Sequence, residues 1–182
     1  MFSNKLTLNW SFAKSILTFI TFITMVAIAS TAAASNKTTT KGAESNSSTS
    51  SSALVVYKNP SCGCCKKWIS HIDQNGFQST VHNRLNLSEL KISKGIAPQY
   101  RSCHTALSKD GYVFEGHVPA KFINQFLAEK PQDALGLSVP AMPIGTPGME
   151  MGERFMPYQV LLLKTDGTSE VYSMVNSYKE QF

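Results

Sequence analysis

The chain has 182 residues, 42% hydrophobic and 16% charged, with a net charge of +5 and four cysteines. Its lysines are scattered, with only Lys66 and Lys67 adjacent, so no basic stripe argues for nucleic acid. A chain of this length builds its own core and does not need disulfides in order to fold.

The N-terminus reads as an export signal. Lys5 and Lys14 give a positive n-region, residues 15–29 form a short apolar stretch, and Ala32-Ala33-Ala34 offers a cleavage site before Ser35. The stretch is shorter than the roughly 20 apolar residues of a membrane span, and no cysteine follows it to carry a lipid. Removal of residues 1–34 is expected to leave an exported protein, most simply periplasmic, with a net charge of +3 and no membrane attachment. Residues 35–52 are almost all Ser, Thr, Asn and small residues, too polar to offset their ordering entropy, and read as a tether. The folded part is then 53–182, the size of one domain.

ALVVY (53–57) is a β-branched run that predicts a buried strand. From Cys64 or Cys65 to Gln74, Trp68, Ile69 and Ile72 recur at helical spacing, and Asn75-Gly76 supplies a stop. FQSTVH (77–82) is the next strand, followed by a helix over 87–94. Pro98 interrupts before Ser102-Cys103-His104-Thr105-Ala106, and GYVFEGH (111–117) predicts another strand. Pro119 opens a helix with Phe122, Ile123, Phe126 and Leu127 on one face. Residues 136–152 read as a Pro/Gly-rich loop, and YQVLLLKTDGTSEVYSM (158–174) as a hairpin with Asp166-Gly167 in its turn. Strand, cysteine turn, helix, strand is a thioredoxin-like opening. It predicts an α/β single domain with a mixed sheet and flanking helices.

Three cysteines crowd the opening of the first helix in NPSCGCCKKW. Cys62 and Cys64 form a C-x-C, and Cys62 and Cys65 a C-x-x-C. Unpaired amides and the helix dipole favour a thiolate there, which is both the redox nucleophile and the metal-binding form. Three readings stay open. Structural disulfides allow three pairings, but a bridge within C-x-C or between Cys64 and Cys65 closes a small, strained ring. Thiol–disulfide exchange would run through Cys62 and Cys65, with Cys103 or Cys64 resolving.

Metal binding draws on the rest of the chain. Cys103 and His104 are adjacent, His117 follows, and the late loop adds Met142, Met149, Met151 and Met156. Thiolate, thioether and imidazole are soft or borderline donors that favour Cu(I). Zinc would accept Cys62, Cys65, Cys103 and a histidine, but gains little from methionine, so the loop tips the balance toward copper. Neighbouring Cys64 and Cys65 suit a multinuclear cluster better than one tetrahedral ion. Trp68 and Phe77 read as core, and His71 and His82 as structural or exposed.

VVYKNPSCGCCKKWISHI, SCHTA, GYVFEGHVPA and GLSVPAMPIGTPGME, in that order across 54–172, resemble a bacterial family of periplasmic metal-binding domains of unknown function that includes the copper-resistance protein CopG. The resemblance puts the family's cysteine motif on Cys62, Cys64 and Cys65, its Cys-His pair on Cys103 and His104, and its EGHVPA histidine on His117. The family's usual P-G-M-P is here Pro140-Ala141-Met142-Pro143, which restricts the backbone at Ala141. The resemblance implies a thioredoxin-like fold, copper handling in the periplasm and cycling between Cu(I) and Cu(II). It makes His117 a ligand or a residue orienting one, Met142 and Met149 lid or transfer ligands, and other periplasmic copper-handling proteins the partners. A thiol–disulfide oxidoreductase and a passive copper chaperone are the alternatives. A thioredoxin-type enzyme has no obvious use for Cys64.

Overall fold

Strand β1, Ala53–Lys58, buries Leu54 and Val56 completely and half-buries Val55 and Tyr57, which is the signature of a strand covered on both faces. This computed structural model describes residues 53–182, so the expected signal segment at 1–34 and the expected tether at 35–52 lie outside the described residues. Helix α1 (Gly63–Gln74) follows and returns the chain to β2 (Gln78–Asn83), which pairs parallel to β1. The α1 stop is the expected one. Gly76 N–H bonds back to Asp73 O and Phe77 N–H to Ile72 O, the paired bonds of a Schellman end, with Ile72 and Phe77 both in the core.

A short helix α2 (Ser88–Ser93) and a 3-10 turn (Pro98–Tyr100) lead to β3 (His104–Ser108) and β4 (Val113–Gly116). Helix α3 (Ala120–Glu129), β5 (Ala134–Val139), β6 (Tyr158–Lys164) and β7 (Ser169–Val175) complete a seven-stranded mixed sheet in the order β2-β1-β3-β4-β5-β6-β7. The α/β class, mixed sheet and flanking helices match the sequence expectation.

Strand β5 corrects it. Its residues ALGLSV fall partly in the stretch read as a loop, because Gly136 looks like a turn signal. Here the glycine serves a close approach, since a Cβ at this position would stand 1.8 Å from the Val113 carbonyl oxygen on β4.

Side chains alternate between two cores. Phe114 joins the larger cluster with Trp68 and Ile72 of α1 and Ile123 and Phe126 of α3, whereas its neighbour Val113 joins a smaller one with Ile96 and Leu163. Helices α1 and α3 therefore cover one face, and the α2 segment packs on the other. The register sets Lys58, the last residue of β1, opposite His104, the first of β3. It also sets Gly116, the last residue of β4, beside Val139 of β5. One end of the sheet thus gathers the α1 cysteine turn, Cys103-His104, His117 and the loop after β5. Among the described residues, no helix is long and apolar enough to cross a membrane.

Candidate metal centre

The cysteine turn is built by its own side chains. Asn59 Oδ1 accepts from Ser61 N–H and Oγ–H, and Cys62 N–H bonds to Asn59 O, closing an Asx-type turn ahead of the helix. Cys62 is the N-cap, its sulfur accepting from Cys65 N–H at 3.3 Å. Cys62 and Cys65 are joined in a disulfide, while Cys64 and Cys103 are free thiols. Cys65 is fully buried and the other three are half-buried. Cys64 Sγ lies 3.4 Å from Cys62 Sγ. The sulfurs of Cys62, Cys64, Cys65 and Cys103 all lie within 4.8 Å of one another.

Cys103 also belongs to a second set, with His104 and His117, whose donor atoms meet the same 4.8 Å limit. Its sulfur is 3.2 Å from His104 Nδ1 and 3.2 Å from His117 Nε2. Beyond the ring, His117 Nδ1 is 2.7 Å from the Pro147 carbonyl oxygen. A carbonyl only accepts, so Nδ1 carries the proton and Nε2 presents its lone pair to Cys103. That is the tautomer of an imidazole held for a metal. Residue parity explains His104: Thr105 turns to the opposite face, while His104 packs under α1, its ring 4.2 Å from that of Trp68. Trp68 is held in turn by donating Nε1–H to Val118 O. His104 Nε2 is buried with no hydrogen-bond partner, and an orphaned polar atom of this kind is rare in a folded interior.

Electrostatics keep the two rings neutral. Burial lowers His117, and burial, reinforced by His117, Lys91 and Lys58, holds His104 well below its ordinary value although the Gly116 backbone pulls the other way. Burial and the neighbouring Cys64 push the Cys103 thiol up to about 12. With the Cys62–Cys65 bridge reduced, four sulfurs and two neutral rings would offer a soft and borderline donor set, and Cys103 is common to both groups.

The loop after β5 seats on this end of the sheet. Gly148 lies against α1 so closely that a Cβ would be 2.7 Å from Cys64 O and from Trp68 N. Met149 is half-buried beside it, whereas Met142 is 47% exposed. The cysteines and histidines thus converge, whereas Met142 is exposed near the start of the covering loop and Met149 is half-buried midway along it. His71 accepts from Ala120 N–H through Nε2 and so caps α3, and exposed His82 stacks on Tyr57. Both have the structural roles expected of them.

A buried ion pair was not foreseen. Glu115 Oε1 accepts from Lys91 Nζ and from Ser102 N–H, and Oε2 from Thr105 Oγ1–H. Lys91 also donates to Ser102 O. Both backbone groups of the residue preceding Cys103 are thereby fixed. Burial raises the Glu115 carboxyl against the pull of Lys91, Thr105 and Ser102. The signal was present as a glutamate inside the apolar run of GYVFEGH, where a charged side chain needs a partner.

Comparison with known proteins places this arrangement. The family model described as "Protein of unknown function, DUF411" matches residues 100–149. The structure titled "Copper resistance protein copG- Form 1" is 41% identical, with a TM-score of 0.64, over 68% of this chain and 96% of that one. Its Form 2 is 40% identical, with the same TM-score, over 68% and 98%. The chain belongs to the DUF411 family. No curated protein matches it. The DUF411 match runs from the 3-10 turn to Met149, so it takes in Cys103, His104, His117 and Met142, while the wider structural likeness covers most of the described domain.

Proposed function

We propose that this DUF411 protein is an exported copper-binding protein of copper resistance or homeostasis. In the form whose Cys62–Cys65 bridge has been reduced by two electrons from a thiol reductant, it holds more than one Cu(I) between Cys62, Cys64, Cys65 and the Cys103-His104 pair, with His117 as a ligand and Met142 and Met149 as transfer ligands. The observation that carries this reading is the convergence of all four sulfurs within 4.8 Å, with Cys103 shared by the histidine set. The likeness to structures titled copper resistance protein supports copper over zinc. The parallel β1-α1-β2 unit with cysteines at the helix start supports a thioredoxin-like core. Residues 1–34 as a cleaved signal, residues 35–52 as a tether and a periplasmic location complete the proposal, and N-terminal sequencing of the secreted form checks the cut. Anaerobic titration of the reduced protein is expected to give a Cu(I) stoichiometry above one, reduced sharply by Cys103→Ser. A preference for zinc, or an indifferent Cys103→Ser, sinks the reading.

The Cys62–Cys65 disulfide, with Cys64 Sγ 3.4 Å from Cys62 Sγ, favours one second reading, a thiol–disulfide oxidoreductase. It predicts metal-independent reduction of insulin and a mixed disulfide trapped through Cys62. Cu(II) reduction and transfer to a partner protein separate redox cycling from passive chaperoning.

A further inference from the structure

Beside the cysteine turn, on the β2 flank of α1, lies an open recess of about 340 Å³ lined by Lys58, Pro60, Lys66, Ile69, Val81 and Asn83. None of its residues belongs to the sulfur or histidine sets. Lys58 is only 3% exposed, yet its Nζ donates only to Asn59 O and Asn83 Oδ1, so one of three ammonium donors is unused. Among the described residues, neither Lys58 nor Lys66 has a carboxylate within 4.0 Å. The potential is reinforced by the helix, since the first turn of α1 carries no acidic residue and points its positive end at this corner. A buried ammonium without a counter-charge is costly, and nothing in the recess wall supplies one.

We propose that this recess binds a small organic carboxylate. The carboxylate would sit between the Lys58 and Lys66 ammonium groups and accept from the Asn83 amide. Its apolar body would lie on Pro60, Ile69 and Val81, the uncharged half of the wall. The volume is within the range of small-ligand sites, which begin at roughly 300 Å³. Because Lys58 stands opposite His104 in the β1–β3 register, a bound carboxylate brings negative charge to the flank of the cysteine turn. The inference is independent of the copper reading and is tested without metal.

Amide chemical shifts of the metal-free, disulfide-bonded protein are followed in 150 mM salt with three probes. Benzoate carries both charge and apolar surface, inorganic phosphate only charge, and benzyl alcohol only apolar surface. Benzoate is expected to shift Lys58, Lys66 and Asn83 saturably, phosphate to bind the same residues more weakly, and benzyl alcohol to leave them unmoved. Lys58→Met should weaken benzoate at least tenfold. The exposed Lys66→Gln, which leaves the core untouched, should weaken it about threefold, as expected for a surface charge. Shifts that do not saturate, equal shifts from benzyl alcohol, or full affinity in Lys66→Gln would overturn the proposal.

Discussion

His117 donates its Nδ1–H to the Pro147 carbonyl at 2.7 Å, and so a loop far along the chain decides which nitrogen faces Cys103. The loop keeps that carbonyl in place because Gly148, the next residue, rests on the backbone of α1. Gly148→Ala would drive a methyl into Cys64 O and Trp68 N and would strain a backbone at φ +87°. The expected result is a fold destabilised by about 1–3 kcal/mol and weakened Cu(I) binding. Urea unfolding and a competition titration measure the two, and wild-type values in both refute the seat.

Ala141, in the loop after β5, takes φ +59°. The left-handed conformation costs a residue with a Cβ about 1–2 kcal/mol, and glycine returns about 0.4–1 kcal/mol of that as unfolded-chain entropy. Ala141→Gly should therefore raise stability by up to about 1 kcal/mol. A lower urea midpoint in the variant would show that Ala141 is not strained.

Breaking the Lys91–Glu115 pair leaves one buried charge without its partner. Lys91→Met or Glu115→Gln alone is expected to cost about 3–5 kcal/mol, and the double variant less than the sum. Because Ser102 O loses its donor in Lys91→Met, the ultraviolet thiolate-to-copper band of the loaded protein should also change in that variant. A double-mutant cycle with no coupling contradicts the geometry.

His71, His104 and His117 are all lowered by burial. Below about pH 6.5 the unfolded chain takes up protons that these rings in the folded state refuse. The stability they contribute is therefore complete above that value and is lost as pH falls through it. Metal-free protein should show a urea midpoint that drops between pH 7 and pH 5. His71→Gln, which keeps an acceptor for Ala120 N–H, should flatten the drop by one proton. A constant midpoint excludes neutral buried rings.

A thiol pushed up to about 12 is protonated at every working pH, so metal uptake must expel its proton. Affinity of the reduced protein should rise about tenfold per pH unit for each thiol deprotonated, and Cys103→Ser should remove one unit of that slope. The histidines, already neutral, add nothing between pH 7 and pH 8. A slope of zero is incompatible with thiolate ligation.

Much of this end of the sheet was legible in the sequence because its elements announce themselves locally. The Trp68/Ile72 periodicity and the Asn75-Gly76 stop each appear where expected. Strand β5 was hidden because Gly136 answers to Val113, more than 20 residues earlier, and no local pattern records that approach. The Lys91–Glu115 pair was hidden for the same reason, its partners lying on α2 and β4. Trp68 was read as core, which it is. That it also walls His104 follows only from the β3 parity that the register reveals.

One sulfur, that of Cys103, is counted in both donor sets. Metal held in both sets would make two sites with a common ligand, and so a single linked system. Whatever factor filling the sulfur set imposes on the histidine set is returned by the histidine set unchanged. Occupancy then does not climb as two independent saturation curves, and the shape of a single uptake isotherm reports a coupling that no individual distance contains.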